Sequence, residues 1–312
     1  MGKKKKDTME LRFYEVPQNE YVLALLGDSW IRDYGHDESN LHFHNLMEIG
    51  YCKHGTGKLI LNEESKPYEP AMVSIIPQNY PHVTISDTDS GPSFWEYLFF
   101  DPMVIIQELY PDNPVIQKKI LQMVNQKALF FHEWENPGVS VLVKMIMDEM
   151  RQKKKRFHEC VRGLMTALFA ELLRMCENDV AEDEIRKKAG VSQITPALEY
   201  VRNEYANNIR VEELAKASHM SETHFRRVFE SYMNMSPMDY INLMRVQKAC
   251  DIMKKTNDSM DVVAQKVGFT TTSTFNRNFK KYLNTSPYQW KISPENYERK
   301  LLNYNISALK GW

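Results

Sequence analysis

Two stretches, FRRVFESYMNMSPMDY at residues 225–240 and FNRNFKKYLNTSPYQW at residues 275–290, repeat one another at an offset of fifty. Phe225 matches Phe275, Arg227 matches Arg277 and Phe229 matches Phe279. Tyr232, Asn234, Ser236 and Pro237 match Tyr282, Asn284, Ser286 and Pro287, and Tyr240 aligns with Trp290. Chance would give about one identity in such a window, so the pattern is an internal repeat. Each copy is led by a short helical segment, 211–217 or 260–267, then a turn, Ser218-His219-Met220 or Gly268-Phe269-Thr270. A hydroxyl residue suited to an N-cap follows, Ser221 in one copy and Thr271 or Thr272 in the other. Short helix, tight turn and second helix make a helix-turn-helix, whose second helix lies in the DNA major groove.

The side chains of the second helices fit that role. Phe225, Val228, Phe229 and Tyr232 recur at helical spacing, as do Phe275, Phe279 and Tyr282, and should pack inward. Ser221, Glu222, Thr223, Arg226 and Arg227 are left to the reading side of the first copy. Thr272, Ser273, Asn276 and Arg277 are left in the second, with Lys280 and Lys281 suited to phosphates. Arg grips guanine and Asn grips adenine through paired hydrogen bonds. Between the copies Ser236 suits an N-cap, Pro237 a first helical position and Asp239 a capping box. The linking helix should run to Lys255, about 30 Å at 1.5 Å per residue, near the ~34 Å between successive major grooves.

Segment 194–291 resembles the DNA-binding domain of the AraC/XylS family of bacterial transcription regulators. The residues that carry the resemblance are Ile194, Ala197, Tyr200-Val201, Leu214-Ala215 and Ser221 through Phe229. They continue through Tyr240, Arg245, Ala249, Val263-Ala264, Val267-Gly268-Phe269, Phe275 through Lys280, Ser286-Pro287 and Trp290-Lys291. Asn234 and Asn284 stand where the family usually has glycine, and Asn tolerates the left-handed conformation of such a turn. Lys291 replaces a closing Arg. The resemblance implies promoter DNA and RNA polymerase as partners, a homodimer, activation of transcription and an N-terminal sensor domain. That sensor is expected to take a small-molecule effector, with a sugar as the first candidate and carbohydrate-metabolism genes as targets.

The first half reads as β-rich. Residues 41–61 alternate apolar and polar, and short strands are expected at 72–76, 82–86 and 94–100 between Pro, Gly and Asn turns. His42, His44 and Glu48, at spacings of two and four, should face one side of a single strand, with His82 following on another. This resembles the cupin pattern, although Ala71 and Asn79 stand where its second block has glycines. Such a set can line an effector pocket or hold a transition metal. The pocket is the preferred reading, with no cofactor. A metal-dependent cupin enzyme, a dioxygenase or isomerase, is the alternative to a non-enzymatic regulator. Trp95 and Tyr97 share parity on another strand and suit either stacking on a sugar ring or core packing.

Short helices are expected at 103–110 and 115–126, and longer amphipathic ones at 138–154 and 157–177. The long pair can cover the barrel or dimerise, and the family resemblance favours dimerisation. The whole reads as a two-domain α+β chain: a cupin-like β-barrel with a helical pair, then an all-α double helix-turn-helix. Its parts are 1–135 for the effector domain, 136–177 for dimerisation, 178–193 as linker, 194–292 as reader and 293–312 as tail. Segment 8–20 is a candidate arm, and Lys3–Lys6 a solvated basic terminus.

Composition agrees with a soluble protein: 312 residues, 43% hydrophobic, 26% charged, mean hydropathy −0.51. No apolar run approaches the roughly 20 residues of a membrane span, and no secretory signal is seen. Four scattered cysteines, Cys52, Cys160, Cys176 and Cys250, form neither a zinc clamp nor a disulfide framework, as expected in the cytoplasm. The net charge of −1 divides unevenly. Residues 195–291 hold 14 Lys/Arg against 10 Asp/Glu, and residues 1–194 hold 23 against 29. An acidic sensor joined to a modestly basic reader needs two motifs per chain and two chains per site to bind DNA well.

Overall fold

The computed structural model describes residues 10–12, 14, 16–17, 20–35, 41–62, 64–87, 91–179, 193–233, 235–283 and 285–292. Lys3–Lys6, Asn234, Asn284, the tail 293–312, most of the linker and part of segment 8–20 lie outside the described residues. The described residues fall into two compact units, one of the strands and helices from Arg12 to Asp179 and one of the helices from residue 193 onward, with which Glu10 and Leu11 are grouped.

In chain order the strands are β1 (Glu10–Arg12), β2 (Leu23–Leu25), β3 (Ile31–Arg32), β4 (His42–His44) and β5 (Met47–His54). Then come β6 (Gly57–Leu61), β7 (Glu64–Tyr68), β8 (Met72–Ile76), β9 (His82–Ser86), β10 (Ser93–Phe100) and β11 (Leu129–His132). They form two sheets, β1-β4-β9-β6-β7 and β11-β8-β5-β10-β2, with β3 also pairing β10. The segments expected as strands between turn residues, 72–76, 82–86 and 94–100, form β8, β9 and β10, the last starting one residue earlier at Ser93.

The expectation of one strand carrying His42, His44 and Glu48 is not met. β4 ends at His44, the chain bends at Asn45 and Leu46, and β5 begins at Met47 in the other sheet. Asn45 causes the break by bonding outward rather than along a ladder. Its Oδ1 accepts from the Tyr14 N–H at 2.8 Å and its Nδ2 donates to the Tyr14 carbonyl at 2.9 Å. Gln78 Nε2 donates to the Asn45 carbonyl at 2.8 Å, and the Asn79 N–H to that of His44 at 2.8 Å.

Four helices follow: α1 (Pro102–Leu109), α2 (Pro114–Val124), α3 (Pro137–Gln152) and α4 (Phe157–Asp179). Pro opens the first three, where a missing N–H costs nothing, and Asp101 and Asn113 cap α1 and α2. The apolar stripes of α3 and α4 pack inward. Val143, Ile146, Met147, Met165, Leu168 and Phe169 share one core with Met47, Ile49, Val73, Leu98 and Phe100 of the six-stranded sheet. Leu168 is wholly buried by its own chain, so the stripe is taken by packing against the sheet. No described helix is long and apolar enough to cross a membrane.

The second unit is helical: α5 (Thr195–Glu204), α6 (Val211–Ala217), α7 (Glu222–Met233), α8 (Pro237–Lys255), α9 (Met260–Lys266), α10 (Thr272–Leu283) and α11 (Pro287–Ile292). Phe225, Phe229, Phe275 and Phe279 are fully buried. Ser236 caps α8 by accepting from the Asp239 N–H at 3.1 Å, as the box Ser236-Pro237-Met238-Asp239 predicts.

Candidate functional site

Each copy of the repeat folds as helix, turn, helix: α6 into α7 and α9 into α10. Both first helices end in the same turn. The Met220 N–H reaches back to the Ala215 carbonyl and the Phe269 N–H to that of Ala264, both at 2.9 Å. His219 (φ 54°) and Gly268 (φ 88°) hold the left-handed position of each turn. The turns are therefore related by 49 residues, whereas the reading helices are related by 50. The second turn is one residue longer before its cap, and within it Phe269, 5% exposed, packs against the Phe275 ring at 5.5 Å.

Ser221 caps α7, accepting from the His224 N–H at 3.4 Å. Of the two candidate caps in the second copy, Thr271 takes the role, accepting from the Thr274 N–H at 3.2 Å. Thr272 is instead the first helical residue, half-buried, and donates its hydroxyl to Asp261. Glu222, Thr223, Arg227, Ser273, Asn276, Arg277, Lys280 and Lys281 are exposed, and Arg226 is half-buried. Arg226 lies on Glu222, its Nε and second nitrogen 2.9 and 2.7 Å from one carboxylate oxygen. Arg227 rests 3.1 Å from the His224 ring. Lys281, expected at a phosphate, pairs with Asp239 at the start of α8, and Tyr282 donates to the Asp239 carbonyl at 2.9 Å.

Two cations of the repeat hold the fold together, a role that spacing alone did not reveal. Arg245 on α8 is 9% exposed and donates to the carbonyls of Tyr205 and Asn207 at 2.8 and 2.9 Å. Burial lowers its pKa, and the two carbonyls supply the acceptors a buried guanidinium needs. Lys291 reaches the carbonyls of Thr256 and Asp258 at 3.2 and 3.4 Å, binding α11 to the α8–α9 connection.

In the sheet unit, the break after His44 still brings the predicted histidines and carboxylate together. His42 and His82 are Cα partners across β4 and β9, with ring centroids 4.3 Å apart. His44 Nε2 lies 2.9 Å from Glu48 Oε2, and His82 Nε2 lies 3.4 Å from the same oxygen. All four residues are at most 2% exposed. His44 Nδ1 faces the Leu46 carbonyl at 2.7 Å and His82 Nδ1 faces that of Tyr80 at 2.9 Å. A carbonyl only accepts, so each ring holds a proton on Nδ1 and turns Nε2 toward Glu48. Burial lowers the His44 pKa. Burial alone would raise that of Glu48, but His82 and His44 hold it near 2.

The His44, Glu48 and His82 ligand atoms all lie within 4.8 Å of one another. A proton on one ring or a cation satisfies this convergence. Imidazoles anchored at Nδ1 by carbonyls, beside a carboxylate, fit a divalent transition metal. His42 stands outside that triplet, so the four-residue set divides.

Trp95 and Tyr97 are 1% and 2% exposed and stack on each other at 6.2 Å with 12° between planes. Tyr68 meets Trp95 edge-on at 5.1 Å, and Trp30 meets Tyr97 at 6.0 Å. Gly50 makes room for the indole, since a Cβ there would come within 3.2 Å of it. Burial raises the Tyr97 pKa well above its ordinary value. The pair thus forms part of an aromatic interior next to the histidines, with Tyr14 meeting both His44 and Phe99.

A protein-family model described as "Helix-turn-helix domain" matches residues 214–292, which span α7 through α11. The chain is 24% identical over 261 residues to an uncharacterized HTH-type transcriptional regulator of Haemophilus influenzae, covering 80% of this chain and 86% of that protein. It is 21% identical over 248 residues to the raffinose operon transcriptional regulatory protein RafR of Pediococcus pentosaceus, covering 78% and 84%. It is also 21% identical over 251 residues to the HTH-type transcriptional activator RhaS of Escherichia coli O81, covering 79% and 85%. Repeat, helical geometry and similarity along most of both chains agree: the chain carries a helix-turn-helix domain and is similar to proteins named as HTH-type transcriptional regulators.

Proposed function

We propose that this chain is an effector-responsive, sequence-specific DNA-binding regulator of transcription. The observation that carries the reading is the placement of Arg227 and Arg277. They occupy the same position in two reading helices, exposed, on helices whose opposite faces bury Phe225, Phe229, Phe275 and Phe279. Glu222, Thr223, Arg226, Ser273 and Asn276 flank them as base contacts, and Lys280 and Lys281 as phosphate contacts.

The N-terminal sheet unit senses a small molecule through His42, His44, Glu48, His82, Trp95 and Tyr97. A sugar is the favoured class, because a polar and aromatic interior suits stacked, polyhydroxyl ligands and one relative is named for a raffinose operon. Activation through RNA polymerase is favoured by a relative named as a transcriptional activator. The regulator acts as a cytoplasmic homodimer. Its dimer contacts use faces of α3 and α4 other than the buried stripe, such as that of Val141 and Met145, 50% and 48% exposed.

Footprinting of promoter fragments by the full chain tests the reading. Protection of two successive major grooves per monomer is expected. Arg227→Ala or Arg277→Ala should weaken binding by about 1–3 kcal/mol at a base-contact position. Unchanged affinity in both variants on every fragment overturns the assignment. A thermal-shift screen of sugars tests the sensor, since a ligand of the native state raises its stability. Elemental analysis of the purified protein separates a metal-dependent enzyme from a metal-free sensor.

A further inference from the structure

The two motifs of the repeat carry opposite charge. Residues 211–233 hold three cations, Lys216, Arg226 and Arg227, against four acids, Glu212, Glu213, Glu222 and Glu230. Residues 260–283 hold four cations, Lys266, Arg277, Lys280 and Lys281, against Asp261 alone, although Lys266 and Lys281 pair with Asp258 and Asp239 outside the segment. The reading helices sharpen the contrast: α10 contains no acid, whereas α7 opens on Glu222. Both would approach the same phosphate density, where each carboxylate costs attraction. The acid at the start of α7 stands where the N-terminal residues of a reading helix meet base edges.

The geometry around Glu222 is specific. Both Arg226 contacts fall on one oxygen, Oε1, so the fork leaves Oε2 to one side. The two side chains are about half exposed, 45% for Glu222 and 44% for Arg226. An exposed pair of this kind adds little to helix stability. The corresponding positions in the second copy, Thr272 and Asn276, are uncharged. Among base edges in the major groove the amino groups of cytosine and adenine are donors; a carboxylate pairs with that of cytosine, because adenine sets an acceptor nitrogen beside its own, and guanine is the partner Arg takes.

We propose that Glu222 is a specificity-determining residue: its outer carboxylate oxygen reads a cytosine amino group while Arg226, held beside it, reads guanine. The second motif then supplies most of the phosphate-driven affinity. The first motif, net negative, binds only where base contacts compensate for phosphate repulsion. This rests on the DNA-binding reading above.

The test is selection from a randomised duplex library by the full chain, comparing the native sequence with Glu222→Gln and Lys280→Ala. Affinity is then measured against salt on the selected duplex and on an unrelated one. Glu222→Gln should bind the unrelated duplex more tightly and lose about tenfold discrimination at one C·G pair. Lys280→Ala should keep the selected sequence and lower the slope of log affinity against log salt by about one. A selected sequence for Glu222→Gln identical to the native one, with helicity unchanged, overturns the proposal and leaves Glu222 as a helix-start residue. If the native chain enriches no sequence, the DNA-binding reading fails and this inference fails with it.

Discussion

Arg151, in the last turn of α3, sets one guanidinium nitrogen against both carboxylate oxygens of Glu96 on β10, at 2.9 and 2.7 Å. Glu96 is 2% exposed at its side chain, and it also accepts from the Gly27 N–H at 2.9 Å and meets Lys53 at 3.1 Å. It lies on the face of β10 opposite Trp95 and Tyr97, so one residue ties β10 to α3. Burial alone would raise the Glu96 pKa, but Arg151, Gly27 and Lys53 hold it below the ordinary carboxylate value. A depressed carboxyl stabilises the fold above its unfolded pKa, and that stability is lost as pH falls through the folded value.

Glu96→Gln should therefore cost about 2 kcal/mol near neutral pH, less than a fully buried pair because Arg151 and Lys53 each keep 38% exposure. Thermal melts of the two proteins should converge in acid below the ordinary carboxylate range. Parallel melting curves down to that range would show that the pair adds no linkage.

Substitution of the two left-handed turn residues should act in opposite directions. Gly268→Ala adds a Cβ only 2.6 Å from the Ala206 carbonyl oxygen at φ 88°, so strain and clash together should cost about 2–3 kcal/mol. His219→Gly relieves the same backbone position and should gain up to about 1 kcal/mol. Denaturant midpoints of the full chain measure both.

Leu168→Asp should unfold the sheet unit rather than merely divide a dimer. The side chain is fully buried against the protein's own sheet, and an unpaired buried charge costs several times what a cavity does. Loss of the near-ultraviolet signal of the buried Trp95 would accompany the change. A folded monomer would contradict the packing described here.

The buried aromatic pair gives a direct optical test of the proposed effector site. If Trp95 lines the effector site, a bound sugar should change its emission, and Trp95→Phe should remove that change while other tryptophans still report folding. A sugar that raises the melting temperature with no effect on Trp95 emission would place the ligand elsewhere.

Much of this was legible from residue patterns, because periodicity and repetition record backbone geometry directly. Phe225 and Phe275 announced the inner faces, and Ser236-Pro237 announced the start of α8. The break at Asn45 was missed although alternation lapses there, with His44 and Asn45 both polar and Leu46 and Met47 both apolar. Only the Tyr14 and Gln78 partners, far away in sequence, fix it. Arg245 stood out as one of the residues that carry the family resemblance, but its role did not, because its two carbonyl acceptors lie some forty residues earlier. Trp95 and Tyr97 shared parity as expected, but parity does not tell which rings will cover them.

The extra residue between Gly268 and Thr271 also constrains how the repeat can be rebuilt. One residue added within an α-helix turns everything after it by about 100°. Placed inside α10, it would have swung Arg277 toward the core and Phe279 toward water. Placed in the turn, it leaves the phase of Phe and Arg in both reading helices untouched. The two halves are thus not interchangeable cassettes: a chimera must carry each turn with its own reading helix, and a graft of residues 221–233 alone inherits the longer turn of its host.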